Sequence, residues 1–175
     1  MREQRVAERQ RAFDPYALLQ TLDRHRVTYI VIGGFARVLQ GTEEVTHGLD
    51  IVPSTRPENL RQLDTALREL GAKRTDGREP TIDENTLRAE PMVELSTQYG
   101  ELKVVPEPIG TRGYDDLRRA ATREALGRGV RPSVASIGDL ARMVSALGDE
   151  ERIPQLMQLR RLVELERTRE RVIQR

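Results

Sequence analysis

The stretch YIVIGGFARVLQGTEEVTHGLDIVP, residues 29–53, decides the fold. It begins with β-branched residues that stop at two glycines, a pattern typical of a buried strand. A helix-length segment follows and ends near Gly41, since glycine is the usual residue just after a helix. LDIVP then has the composition of a second strand, which carries one carboxylate, Asp50. This order predicts a mixed α/β fold with a turn of two glycines beside that carboxylate.

Composition limits the classes of protein that the chain fits. Its 175 residues are enough for one domain with a small appended part. The absence of cysteine excludes disulfides and thiolate metal sites. Aromatic residues make up only 3%, which argues against a stacking surface for single-stranded nucleic acid. No run has the length of a membrane span and no signal-type apolar segment opens the chain, so we expect a cytoplasmic protein with no membrane contact.

Charge is distributed unevenly along the chain. Residues 1–12 carry a net charge of +2, residues 158–175 carry +3, and the remainder carries −4. Arginine-rich termini on an acidic body could bind RNA or DNA. The glutamates interleaved with these arginines equally fit solvated helix surfaces with i,i+4 ion pairs.

Sequence signals divide the chain into three parts: a basic N-terminal extension (residues 1–13), an α/β domain (residues 14–135) and a helical C-terminal part (residues 136–175). Asp14 is predicted to cap a first helix, and Ser136 to cap the helices of the last part. A stripe of leucines predicts one further helix, which Ser54 or Thr55 could cap. The stripe consists of Leu60, Leu63, Leu67 and Leu70.

Turn signals predict the remaining connections. The polar segment that begins at Lys73, KRTDGREPTIDEN, is predicted to be a loop. Alternating apolar residues on both sides of Tyr99-Gly100 predict a hairpin of residues 92–98 and 101–105. A second small hairpin is predicted around residues 127–129, where two glycines flank an arginine.

With these elements placed, five motifs together resemble one known superfamily. They are IGGFA, VTHGLDI, PENLRQLDTALRELGA, YGELKVVPEPIGTRGYDDL and SVASIGDLARM. In this order the chain resembles the nucleotidyltransferases of DNA polymerase β-like fold, in particular the bacterial toxin–antitoxin type known as AbiE and MenT. The resemblance spans roughly residues 15–165 and implies a mixed sheet flanked by helices, with a helical C-terminal part.

The resemblance implies a nucleotide site and also shows where it is incomplete. In the family, the glycine turn, here Gly33 and Gly34, offers backbone N–H groups to phosphates. Two aspartates at i and i+2 on the next strand point to one face and hold magnesium. Here Asp50 remains as a doubtful metal ligand, and Gly48 replaces its partner. A third carboxylate is replaced by Lys103, which could bind a phosphate instead.

Other departures from the pattern fall at functional positions. Glu44 stands where the family has an arginine, Val144 where it has a lysine, and Asp149 lies in a segment whose charges are reversed. Glu101, two residues before Lys103 on the same strand face, is the best substitute for the missing carboxylate, so Asp50 and Glu101 form the remnant of the catalytic group.

These departures predict a catalytically degenerate protein, a pseudoenzyme that binds a partner protein, a nucleotide or a nucleic acid and needs no cofactor. Two alternatives stay open. One is an active enzyme that uses magnesium and a nucleoside triphosphate to modify tRNA or protein. The other is a nucleic-acid-binding regulator. A partner could also be an active homologue.

Overall fold

A computed structural model describes residues 12–148 and 150–174. Within this part of the chain, strands form one sheet in the order β3-β4-β5-β2-β1-β7-β6. The basic N-terminal extension, apart from its last two residues, lies outside the described residues, as does Asp149. The strands are β1 (Tyr29–Ile32), β2 (Gly48–Pro53), β3 (Lys73–Arg74), β4 (Val93–Thr97), β5 (Gly100–Val104), β6 (Thr122–Arg123) and β7 (Ser133–Val134).

Helices pack on the sheet and make up the C-terminal part. They are α1 (Pro15–Arg24), α2 (Gly33–Leu39), α3 (Pro57–Glu69), α4 (Glu84–Ala89), α5 (Tyr114–Leu117), α6 (Ile137–Leu147) and α7 (Ile153–Ile173). A 3-10 turn, Glu150–Arg152, joins the last two. The predicted fold class, a mixed α/β sheet with flanking helices and a helical C-terminal part, is confirmed. Across the described residues, no helix combines the length and the apolar character that a membrane crossing requires.

The pairing of the strands brings the two ends of the deciding stretch together. Strand β1 pairs antiparallel with β2, and β2 pairs parallel with β5. Strands β4 and β5 form the predicted antiparallel hairpin. The second predicted hairpin is also present, since β6 pairs antiparallel with β7 and Gly127 bridges Val130 between them.

The core lies between the sheet and the helices. The leucine stripe of α3 is buried as predicted, and Leu159 anchors α7 to the same core. Each fully buried leucine stabilises the fold by roughly 1.5–3 kcal/mol relative to an exposed one. Helix α7 is 21 residues long, but its residues after Val163 are exposed.

Two of the predicted caps are present and one is absent. Asp14 accepts a hydrogen bond from the amide of Ala17 at 3.1 Å, and Ser136 accepts one from the amide of Asp139 at 3.0 Å. The prediction that Ser54 or Thr55 caps α3 is wrong. The helix begins at Pro57 with Arg56 as its N-cap residue, and no side chain caps it.

The predicted loop after Gly71 is partly wrong because it contains two short elements. Lys73 and Arg74 pair with β4 at the edge of the sheet, and Asp83 caps α4 by accepting from the amide of Thr86 at 2.8 Å. Buried Arg74 is held by Asp76 and Glu90. Such a two-residue strand depends on its neighbour in the sheet, which a local polar sequence does not reveal.

Candidate functional site

Asp50 lies in the middle of the sheet, between β1 and β5. Its register partners are Ile32 on β1 and Lys103 on β5. Side chains of register partners on adjacent strands point to the same face. The side chains of Asp50 and Lys103 therefore lie on the same face of the sheet, where the positive charge of Lys103 acts on the carboxyl group of Asp50.

This face of the sheet forms the floor of a cleft of about 430 Å³. Ionisable residues at the cleft are Arg37, Asp50, Lys103, Glu107 and Arg152. Most of the wall is apolar and comes from the segment before β4, the loop after β5 and helix α6. Its apolar residues include Met92, Ile109, Leu140, Met143, Val144 and Leu147. A volume of this size fits a small molecule or cofactor.

Gly33 closes the cleft on the side of β1. Its φ of +73° lies in the left-handed region, and a Cβ atom there would stand 2.3 Å from Oδ2 of Asp50. Gly34 is different, because its nearest neighbours to such an atom are at 3.5 Å or more. Because Gly33 has no Cβ atom, the carboxylate of Asp50 can pack directly against its backbone. The predicted role of both glycines in binding phosphate stays a prediction.

Gly48 has no room for the second carboxylate of a metal site. A Cβ atom at this position would lie 2.9 Å from the backbone oxygen of Glu101 and 3.0 Å from its Cβ. Glu101 is the register partner of Gly48 on β5 and is exposed. A side chain at residue 48, where the resemblance implies an aspartate, would therefore have to displace the backbone of Glu101.

Glu44 forms a buried ion pair with Arg37. The Nε and Nη2 atoms of Arg37 donate to Glu44 at 2.9 Å each, and the Thr42 hydroxyl donates to Glu44 at 2.6 Å. The two charged side chains are only 8% and 10% exposed. The sequence identified Glu44 only as a lost arginine position. The structure shows that its charge neutralises a cation at the cleft wall.

Val144 and Lys103 occupy contrasting positions in the cleft. Val144 is buried in α6 and forms part of the apolar wall. Lys103 is partly exposed, with its Nζ 3.9 Å from Oε1 of Glu94 on the neighbouring strand. At this distance and exposure the ion pair is weak, so the ammonium of Lys103 remains able to bind a ligand.

Burial raises the pKa of Asp50 above its ordinary value of 3.8. The positive charges of Lys103, Arg37 and Arg152 oppose this shift, and the negative charge of Glu101 adds to it. An acid with a raised pKa in the folded state binds more protons when folded than when unfolded. Its contribution to stability is therefore full in acid and is lost as the pH rises through the folded-state pKa.

Asp50→Asn is expected to stabilise the protein at neutral pH, because the amide removes the cost of a buried charge. The difference in melting temperature between variant and wild type should grow from roughly pH 4 to pH 7. Thermal unfolding across this range measures it. Asp115→Asn is the control, because Asp115 is exposed and, within the described residues, its one ion pair is with Arg118. A difference that shrinks with rising pH would contradict the assignment.

The site does not fit a bound magnesium ion. Magnesium prefers six oxygen ligands in octahedral geometry. Among the described residues, no group of three or more His, Cys, Asp or Glu side chains is arranged to hold a metal. Asp50 is a single carboxylate, and Lys103 would repel a cation beside it by about 4 kcal/mol per unit charge at 4 Å and an effective dielectric constant of 20.

Two groups of residues at the site were missed by the sequence analysis. Arg37 lies in a short helix, and its sequence context suggests a surface residue. In the structure it is buried and donates a hydrogen bond to Glu44. The apolar wall is assembled from the separate segments around residues 92, 109 and 147. No periodicity within any one of them indicates that they meet.

Two solved structures have a fold similar to that of this chain. The structure of a lincosamide antibiotic adenylyltransferase, LnuA, bound to lincomycin is similar to this chain with a TM-score of 0.59 and 15% sequence identity. The match covers 86% of this chain and 99% of that one. This protein has a nucleotidyltransferase-like fold.

A second solved structure agrees with the first. The antibiotic-resistance factor ANT(2'')-Ia matches with a TM-score of 0.53 and 12% identity, over 99% of this chain and 97% of that one. At these identities the likeness concerns the fold alone. No protein-family model and no curated protein sequence matches the chain.

Proposed function

We propose that this protein binds a nucleotide in the Asp50–Lys103 cleft without magnesium and does not catalyse nucleotidyl transfer. The observation that carries the proposal is the register of β2 and β5. A metal site on this fold needs further carboxylates beside Asp50. Instead, β2 carries Gly48 two residues before Asp50, and β5 carries Lys103 as the register partner of Asp50. One carboxylate beside an ammonium does not hold the metal that would align a triphosphate.

The chemistry of the cleft supports a phosphate-bearing ligand with an apolar body. Lys103 supplies an ammonium, which binds a phosphate as a compact point charge. The walls from α6 and the loop after β5 supply apolar surface for the rest of the ligand. Arg37 is neutralised by Glu44, so Lys103 is the residue whose removal should weaken binding most.

Calorimetric titration with each nucleoside triphosphate, with and without magnesium, tests the proposal. We expect binding in the absence of magnesium that Lys103→Ala weakens about tenfold or more, because hydrogen bonds to charged groups contribute about 1.5–3 kcal/mol. Lys73→Ala is the matched control. Lys73 is the only other lysine of the chain and lies exposed on the edge strand β3.

Other outcomes of this titration would overturn the proposal. Binding that requires magnesium and is abolished by Asp50→Ala would mean a working metal site and would favour an active enzyme. No binding of any nucleotide would remove the nucleotide as ligand. Introducing an aspartate at Gly48 is a poor test, because its Cβ would meet the backbone of Glu101; Lys103→Asp with a transfer assay avoids this clash.

The narrower predictions from the sequence remain proposals. The toxin–antitoxin relation, and tRNA or a protein as partner, rest on the motif resemblance. The regulator hypothesis rests on the arginines of the last helix, which is exposed after Val163 and also carries Glu164, Glu166 and Glu170. A mobility shift on tRNA and duplex DNA at two salt concentrations tests tRNA and DNA as partners, since phosphate contacts weaken as salt rises.

A further inference from the structure

A second cavity, of about 440 Å³, lies at the start of α3 and is different from the Asp50–Lys103 cleft. It is bounded by residues 54–56, by helix α4, and by the loop between β5 and α5. Three arginines, Arg56, Arg88 and Arg112, line it. Glu107 lines both this cavity and the Asp50–Lys103 cleft, and no other described residue does so.

Ser54 places an unused hydroxyl at this cavity. The residue is only 7% exposed, and it lines the cavity. Within residues 12–148 and 150–174, its hydroxyl has no hydrogen-bond partner. Although the residue as a whole is buried, its hydroxyl oxygen is accessible, and because Ser54 lines the cavity the hydroxyl can form a hydrogen bond with a molecule bound there.

The backbone that carries this hydroxyl is fixed in place. The Ser54 amide donates to the carbonyl of Thr28 at 3.0 Å. The Asn59 side-chain amide donates to the carbonyl of Ser54 at 2.7 Å and to that of Thr28 at 2.9 Å. Asn59 is itself buried. The hydroxyl is therefore presented by a rigid segment, and a ligand would bind there at little cost in backbone ordering.

Two of the three guanidinium groups at the cavity are available to an anion. Three carboxylates line the cavity together with the three arginines. Glu84 is 3.8 Å from Arg88, and Asp115 is 3.0 Å from Arg118, which lies outside the cavity; both are exposed and therefore weak ion pairs. In the part of the chain that the structure describes, the guanidinium groups of Arg56 and Arg112 form no ion pair. Glu107 is the remaining acidic group. The positive end of the α3 helix dipole, which no side chain caps, adds to the positive potential.

We infer that this cavity binds the phosphate group of a second ligand, with the Ser54 hydroxyl and the guanidinium groups of Arg56 and Arg112 as its donors. Guanidinium groups present paired N–H donors that match phosphate oxygens. The hydroxyl on the rigid segment completes the set of donors. The site is independent of the nucleotide proposed for the Asp50–Lys103 cleft.

Titration of the full-length, 15N-labelled protein with inorganic phosphate at constant ionic strength tests the inference by NMR. We expect the amide shifts to centre on residues 54–56 and 112–114. Arg112→Gln should raise the dissociation constant about tenfold or more, and Ser54→Ala about threefold to tenfold. Arg61 is an exposed arginine of α3 that does not line the cavity, so Arg61→Gln should leave the dissociation constant unchanged.

The result in a Lys103→Ala background separates this site from the cleft. The same shifts and the same affinity in that background would support an independent second site. Shifts that move to the residues around Lys103, or that spread over the arginines of α7, would overturn the inference. So would equal losses for Arg112→Gln and Arg61→Gln, because these would indicate general attraction of phosphate by positive charge.

Discussion

Glu44→Ala is expected to cost about 3–5 kcal/mol of unfolding free energy, because it leaves the buried guanidinium of Arg37 without its counter-ion. Both side chains are about nine-tenths buried, and the pair shares two contacts of 2.9 Å. The Thr42 hydroxyl loses its acceptor as well. This loss is larger than the near-zero effect of an exposed ion pair.

Urea unfolding of four proteins separates the charge from the packing. The single variants Glu44→Met and Arg37→Met should each destabilise, whereas the double variant should recover much of the loss, since an apolar pair of similar volume replaces a buried ion pair well. Glu79→Ala, at an exposed acidic residue, is the control. A cost below about 1 kcal/mol for Glu44→Ala would mean that solvent reaches Arg37.

The pKa of Glu44 adds a second readout to the same variant. Burial alone would raise this pKa, but hydrogen bonds from Arg37 and Thr42 and the charges of Arg37 and Arg152 outweigh it and hold the pKa below its usual 4.5. The stability from Glu44 is therefore present above pH 4.5 and is lost as the pH falls through the folded-state pKa. The cost of Glu44→Ala should shrink in acid.

The sequence predicted the residues at the floor of the site better than those of its walls. Asp50, Gly48 and Lys103 lie in strands, where alternation fixes which side chains share a face. Arg37 and Glu44 lie in a short helix and an irregular segment. Their pairing depends on how that segment folds back on α2. From the sequence, Glu44 was therefore interpreted as the loss of an arginine, and its role as the counter-ion of Arg37 became visible only in the structure.

The same contrast holds for the fold. The leucines of α3 and the hairpin around Gly100 follow from regular periodicity and turn chemistry. Ser54 was predicted to cap α3 because its residue type and position suit a cap. Instead Asn59 and Thr28 take its backbone groups, and the helix starts at Pro57. Short elements such as β3 form only because a neighbouring strand offers partners.

Gly33→Ala is expected to destabilise the protein by about 2–5 kcal/mol. The left-handed backbone at Gly33, with φ of +73°, costs a residue with a Cβ about 1–2 kcal/mol. The new methyl group would also stand 2.3 Å from Oδ2 of Asp50, and such overpacking costs about 1–3 kcal/mol more. Gly34→Ala is the matched control and should change stability by about 0.5 kcal/mol or less, since it meets only ordinary contacts.

Unfolding of Gly33→Ala in an Asp50→Ala background distinguishes the two contributions. Without the carboxylate, only the backbone cost of about 1–2 kcal/mol should remain. A large difference in the cost of Gly33→Ala between the two backgrounds would mean that a glycine is required at residue 33 because the Asp50 carboxylate packs against it. The space at the glycine turn would then be occupied by an aspartate and not by a phosphate. Lys103 would then be the main cation for an anionic ligand. Equal costs in both backgrounds would leave the turn free to approach a phosphate, as the family resemblance implies.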